Sequence, residues 1–221
     1  MRVNDKYAGS ESEAGPKLHI KRVARRLFAL HGEHNVTVRE IARVAEQRNL
    51  GVVAYYFGTK DNLIAEILID GAKRIEARRL EFLKSLEING GPTSIREAIE
   101  GIVRPSVEFT DTDEIYGQYF NSFLFQLSIS RSDFLHETLE GRWNVAYQTC
   151  LSHMRTFLPH LDKAEQNRRF VFFGSYVSAL LAQREVRKED TLKDHPTWTS
   201  EATLNDIIGT SAALLSAPAP E

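Results

Sequence analysis

Apolar residues recur at three- and four-residue spacing from Ile20 to Leu215, and no stretch alternates apolar with polar as a half-buried strand does. That period restricts the chain to helices packed on helices. Ile20, Val23, Ala24, Leu27 and Leu30 form one stripe, with Lys21, Arg22, Arg25 and Arg26 between them, and the run ends near Gly32. Leu63, Ile64, Ile67, Leu68, Ile75, Leu80, Leu83 and Leu86 form a longer one, closed by Asn89-Gly90-Gly91-Pro92. Thr37-Val38-Arg39-Glu40 and Ser94-Ile95-Arg96-Glu97 are capping boxes, in which the hydroxyl accepts from the Glu N–H and the Glu side chain can reach back. The helix from Ser94 should end near Phe109. Further helices are expected from Asp111–Glu114 through about Ser128, from Ser132-Asp133 to about Leu158, over 163–187, and over about 200–215, with a loop at 190–199. The expected fold class is all-α, with about nine helices.

Between the two stripes lie two short helical segments. Thr37 caps one that buries Ile41 and Ala45, the polar turn Glu46-Gln47-Arg48-Asn49 follows, and Gly51 to Phe57 forms the second. Gly58-Thr59 then caps the long helix. Two short helices joined by a tight turn are the geometry of a DNA-reading helix-turn-helix, centred here on residues 37–60. Tyr55-Tyr56 brings two phenolic hydroxyls beside Phe57, the expected core anchor. Thr59-Lys60 opens a helix whose free N–H groups and positive dipole end suit a phosphate, and the ammonium adds a full charge.

Charge agrees with that placement. The net formal charge is -2, yet residues 17–60 hold nine Lys/Arg against three Glu, a surplus of six, so the rest of the chain is acidic. A basic head on an acidic body points to a polyanion at one end. A solvated basic helix face would give the same count.

Other classes are less well served. The single cysteine, Cys150, allows no intrachain disulfide, which fits a reducing cytoplasm, and we expect a buried inert thiol. The polar N-terminus and the absence of a bilayer-length apolar run lead to the expectation of a soluble cytoplasmic protein with no membrane partner. His31-Gly32-Glu33-His34 falls at a helix end without a third ligand, and His153 and His160 are separated by Pro159, so neither a metal nor a cofactor is expected. There is no phosphate-cradling glycine loop and no nucleophile elbow. The expected function is therefore not enzymatic. The alternative, an all-helical enzyme or structural interaction protein without DNA binding, predicts no salt-dependent association with DNA.

The segment VTVREIARVAEQRNLGVVAYYFGTKDNLIAEIL, Val36 to Leu68, resembles the N-terminal signature of the TetR family of transcription regulators. The resemblance covers about 50 residues with the first helix included, and beyond it the chain is similar only in length and helical organisation. It implies a three-helix DNA-binding domain over 16–60 and a helical effector-binding and dimerisation domain over 61–216; the polar N-terminus and the Ala-Pro tail are expected to be flexible at 1–15 and 217–221. It implies DNA contacts from Thr37, Arg39, Arg48, Asn49, Leu50, Gly51, Val52, Ala54, Tyr55, Tyr56 and Lys60. The turn is one residue longer than the commonest family version. Leu50 and Ala54 replace a polar and an aromatic residue, which leaves Val52 and Ala54 for thymine methyls and Arg48 or Asn49 for hydrogen bonds.

The body adds two expectations. Phe170, Val171, Phe172, Phe173, Tyr176, Val177, Leu180 and Leu181 make 163–187 apolar nearly all round, so one face should serve the chain's own core and another a partner. Gly174, Ser178 and Ala182 in one row, with Leu204, Ile208, Ser211 and Leu215 on the last helix, are the expected homodimer seam, in line with the resemblance. A monomer with this helix central in its core is the alternative. A two-fold dimer would read a roughly palindromic operator. The resemblance also implies a small-molecule effector pocket in the aromatic-rich middle, with Phe120, Phe123, Trp143, Tyr147 and Tyr176 as apolar walls and Asn121 or Gln126 as polar handles. For any one of these residues, plain core packing is the competing reading.

Overall fold

The computed structural model describes residues 8–188 and 196–218, which form ten α-helices, two short 3-10 turns and no strand. The helices are α1 (Ala8–His31), α2 (Val38–Val44), α3 (Val52–Phe57), α4 (Lys60–Ile88), α5 (Ile95–Thr112), α6 (Phe120–Ser130), α7 (Ser132–Leu139), α8 (Val145–Thr156), α9 (Lys163–Lys188) and α10 (Glu201–Ser216). α1 starts at Ala8 and runs through Pro16, inside the stretch expected to be flexible; residues 1–7 lie outside the described residues, as do 189–195 of the expected loop and 219–221 of the tail.

Hydroxyl caps set several helix starts. Thr37, Thr59, Ser94 and Ser200 each accept a hydrogen bond from the backbone N–H three residues on, filling a donor the helix itself cannot satisfy. At Ser94 the Glu97 carboxylate reaches back to the N–H of Thr93 at 2.7 Å, one residue before the cap.

One expected helix boundary moves, and one expected helix is divided. α5 continues to Thr112, residues 114–119 form a turn, and α6 begins only at Phe120. Asp113 accepts from the N–H of Tyr116 at 2.8 Å, and Gly117 lies so close to the carbonyl of Phe109 that a Cβ there would stand 2.0 Å from it. The stretch from Ser132 to Leu158 breaks between α7 and α8, where Glu140 (φ 45°), Gly141 (φ 69°) and Trp143 (φ 54°) are all left-handed. Such backbone cannot continue a right-handed helix.

The core has two centres. One joins Phe28 of α1, Ile41 of α2, Leu63, Ile64 and Leu68 of α4, and Phe120, Phe123 and Leu127 of α6. The other joins Leu83 of α4, Ile99 and Val103 of α5, Met154 of α8, Phe173 of α9 and Ile208 of α10. α4 contributes to both. The division at residue 60 therefore marks the end of the helix-turn-helix and is not a gap in packing: α6 of the body rests directly on α1, with the rings of Phe28 and Phe123 stacked at 6.1 Å.

Candidate nucleic-acid interface and internal cavity

α2 and α3 are held by a small shared core of Ile41, Ala42, Ala45, Val52, Val53 and Phe57. The turn between them is a Schellman close. The N–H of Gln47 bonds the carbonyl of Ala42 at 2.9 Å, and that of Glu46 bonds the carbonyl of Arg43 at 3.1 Å. This motif needs a left-handed residue, and Glu46 fills that place at φ 53°. The side-chain Oδ1 of Asn49 then accepts from the N–H of Gly51 at 2.8 Å and directs the chain into α3.

This frame sorts the expected contacts. Thr37, Arg39, Arg48, Asn49, Leu50, Gly51, Ala54 and Tyr55 are all exposed, and Tyr55 is 71% exposed with its ring edge-on to that of Tyr56 at 4.9 Å. Leu50 is 52% exposed, on a shallow surface shared with Arg39, Glu40 and Arg43. Val52 departs from expectation: it is 8% exposed and belongs to the head core, so its methyls do not stand on the surface. Tyr56 is half-buried. Arg43 is a residue sequence reasoning passed over. It follows Arg39 by one helical turn, a spacing that places both guanidiniums on one side of α2.

Much of the head's positive charge is spent inside the molecule. Lys17 pairs with Glu66 at 2.9 Å, and Lys21 pairs with Glu66 and Asp70, each at 2.8 Å, tying α1 to α4. Burial works against the Lys21 ammonium, but its hydrogen bonds to the two carboxylates outweigh it and raise its pKa. Arg25 is buried and donates to the carbonyls of Gln118 and Ile115; burial lowers its pKa to about 10, which leaves it charged at neutral pH. Lys60 departs from the simple reading too. Its ammonium bonds the carbonyl of Glu33, stands 3.5 Å from that residue's carboxylate, and lies over the ring of Phe28 at 5.6 Å. The exposed guanidiniums of Arg39, Arg43 and Arg48 are in no ion pair among the described residues, and they give the α2–α3 surface its charge.

A short basic helix pair, a tight turn and an exposed second helix on a three-helix base form a surface of the kind that enters a DNA groove. A family model for the N-terminal domain of bacterial regulatory proteins of the tetR family matches residues 20–67. The chain carries a TetR-family head. That family is one of DNA-binding transcription regulators, and the matched stretch contains both α2 and α3. No curated protein matches the chain.

Below the TetR-family head, the body encloses a cavity of about 440 Å³. Leu68, Ala72, Ile75 and Arg79 of α4 form one wall, Phe120, Asn121, Leu124 and Ser128 of α6 another, and Gly141, Arg142, Trp143 and Asn144 of the α7–α8 link a third. α5, α7, α8 and α9 also contribute, among them Ile102, Ser106, His136, Tyr147 and Val177. Of the expected pocket residues, Phe120, Asn121, Trp143 and Tyr147 line it. Phe123 does not, because it is fully buried in the core against Phe28, and Tyr176 does not, because its hydroxyl is bonded to Thr210 at 2.7 Å on α10. Gln126 is also outside the lining.

The residues expected at a dimer seam fall in different places. Leu204, Ile208, Ser211 and Leu215 are buried in the chain's own core, because this is the face of α10 that packs on α5 and α9. Ser178 lines the cavity, and the carbonyl of Ala182 accepts from Ser122 Oγ at 2.9 Å, so these small residues admit α6. Gly174 alone of that row faces open space. The outward face of α9 carries Val171, Phe172 and Val186, of which Val171 is 65% and Phe172 56% exposed.

Cys150 is fully buried, and burial pushes its thiol up to about 11, which leaves it an inert core residue at neutral pH. His34 Nε2 stands 2.9 Å from the buried Glu33 carboxylate. Among the described residues no three His, Cys, Asp or Glu side chains gather as metal ligands would, and no helix is long and apolar enough to cross a membrane.

Proposed function

We propose that the protein is a homodimeric repressor that leaves a roughly palindromic operator when a small, largely apolar effector fills the body cavity. One observation carries this reading: two of the helices that wall the cavity, α4 and α6, also hold the head. α4 lines the cavity from Leu68 to Arg79 and begins at Lys60, at the end of the helix-turn-helix. α6 lines it with Phe120 and Leu124 and packs Phe123 on Phe28 of α1. An occupant that fits one spacing of α4 and α6 better than another biases the head, by the difference of its affinities for the two states.

In this reading Arg39, Arg43, Thr37 and Tyr55 hold phosphates, and Arg48, Asn49, Leu50, Gly51 and Ala54 face the base edges. Tyr56 packs beneath Tyr55. Lys60 exchanges the Glu33 carbonyl for a phosphate. Two copies pair through the outer face of α9, where Val171, Phe172 and Val186 are exposed, since apolar side chains this exposed on a helix point to a partner. The dimer sets half-sites about one helical turn of DNA apart, or a multiple of it.

The test is selection from random duplex DNA, then a search for small molecules that release the selected site. The reading expects a palindromic consensus and at least one apolar compound that lowers affinity for it. Recovery of no consensus would contradict the regulator. A consensus without two-fold symmetry would contradict the dimer.

A further inference from the structure

The cavity is apolar over most of its wall, yet Arg79 reaches it while only 7% exposed. Its position has a traceable cause. Pro105 lies inside α5 and has no N–H, so the carbonyl of Gly101, four residues earlier, loses its helical donor. Arg79 Nε supplies the missing bond at 3.2 Å. That bond, and the ring of Tyr147 at 5.4 Å, fix the plane of the guanidinium.

The terminal nitrogens are left over. Among the described residues they make no hydrogen bond, and the nearest carboxylate, Glu76 Oε2, stands 3.9 Å from Nη1. Glu76 is itself committed elsewhere, since its other oxygen accepts from the N–H of Ala146 at 2.8 Å in the first turn of α8. It therefore offsets the Arg79 charge only in part. A buried charge without hydrogen-bonded compensation is costly, and this one borders a space large enough for a small molecule. The rest of the lining is of one sign: Arg142 and His136 are present, and no Asp or Glu is.

We infer that the cavity takes an amphipathic carboxylic acid, its apolar or aromatic body among Leu68, Ile75, Phe120 and Trp143 and its carboxylate on the Arg79 guanidinium. A planar fork of N–H donors matches a planar pair of carboxylate oxygens. One buried guanidinium beside a partial counter-charge suits a single negative charge and is too little for a phosphate dianion. The apolar walls suit a body with no further polar groups. This inference rests on the reading of the cavity as the effector site and names the effector's chemistry.

Trp143 stands in the wall, so its fluorescence reports occupancy directly. In full-length protein carrying Trp198→Phe, which leaves Trp143 as the sole tryptophan, decanoate and 4-phenylbutanoate are titrated beside decanamide and 4-phenylbutanamide. The acids should bind at least tenfold more tightly than their amides. Arg79→Gln should bring each pair to within about threefold, and Arg79→Lys should keep part of the preference. If Arg79→Gln does not fold, the wild-type comparison and Arg79→Lys decide. Equal binding of acid and amide to wild type, no binding of either acid at millimolar concentration, or a preference that survives Arg79→Gln overturns the inference. Operator affinity is measured in the same samples. An acid that occupies the cavity but leaves operator affinity unchanged contradicts the release reading and leaves the ligand class standing. Amides that release DNA as well as the acids do contradict the ligand class and leave the release reading standing.

Discussion

Glu46 sits in the left-handed region at φ 53° because the Schellman turn after α2 requires it. An L-residue with a Cβ loses roughly 1–2 kcal/mol there, and glycine does not. Glu46→Gly should therefore stabilise the protein by about 1 kcal/mol after its own chain-entropy cost, seen as a raised Tm. An unchanged or lowered Tm would contradict the turn. The sequence disclosed this turn as one residue longer than usual but not its form, since the residue at its left-handed position is neither Gly nor Asn. Lys60 shows the same limit. Its place at a helix start was legible, but its bond to Glu33, 27 residues earlier, was not. Glu185 is a third case. It sits in α9, 8% exposed, and accepts from the N–H of Asn121 at 3.1 Å and from the N–H and hydroxyl of Ser122 at 2.6 and 2.8 Å. It thus caps α6, whose own cap position, Tyr119, offers no side-chain bond. Burial pushes its pKa up to about 7, against the opposing pull of those bonds and of Arg25. The folded state then holds the proton more tightly than the unfolded chain, so this group's contribution to stability falls as pH rises from about 4.5 to 7. The full span is of order 3 kcal/mol. A plot of Tm against pH should slope downward over that window in wild type and flatten in Glu185→Gln; parallel curves for the two would contradict it.

At the scale of elements, Gly71 of α4 and Phe120 of α6 are the closest coupling between the two cavity walls. A Cβ on Gly71 would stand 2.0–2.5 Å from three ring carbons of Phe120. Gly71→Ala gains helix propensity of up to about 1 kcal/mol but must displace that ring, so the net should be destabilising by roughly 1–2 kcal/mol in chemical denaturation. A stabilised variant would show that α6 is free to move off α4. The outer face of α9 makes a separate prediction. Phe172→Glu should give a monomer by analytical ultracentrifugation with little change in helicity, because Phe172 is 56% exposed in one chain. A dimer that persists would place the seam elsewhere. Periodicity revealed that α9 is apolar on every side. It could not say which side faces outward, because α6 and the cavity claim the Ser178–Ala182 side only once the chain is folded. It also started α6 too early, before the turn in which Gly117 stands against a carbonyl, and ran α7 and α8 together across the left-handed Glu140-Gly141 pair.

Across the whole molecule, the head was the most legible part. Its caps, its core residues Ile41, Ala45 and Phe57, and its turn lie within a few residues of one another, so local spacing encodes them. Charge was legible only as a sum. The surplus over residues 17–60 includes Lys17 and Lys21, which Glu66 and Asp70 neutralise, and Arg25, which clamps α1 to the body; the α2–α3 surface keeps Arg39, Arg43 and Arg48. The cavity was legible as an aromatic-rich middle, but Arg79 was not, because a proline on another helix creates the carbonyl that positions it. What joins these parts is a basic surface whose base is continuous with the walls of a cavity. Its direct test is the affinity of the full-length protein for its selected operator, measured from about 50 to 200 mM salt. Log K is expected to fall linearly with log salt concentration, by about a hundredfold or more over that range, with the operator still preferred over random duplex at every point. Affinity independent of salt, or no preference for any sequence, would contradict it.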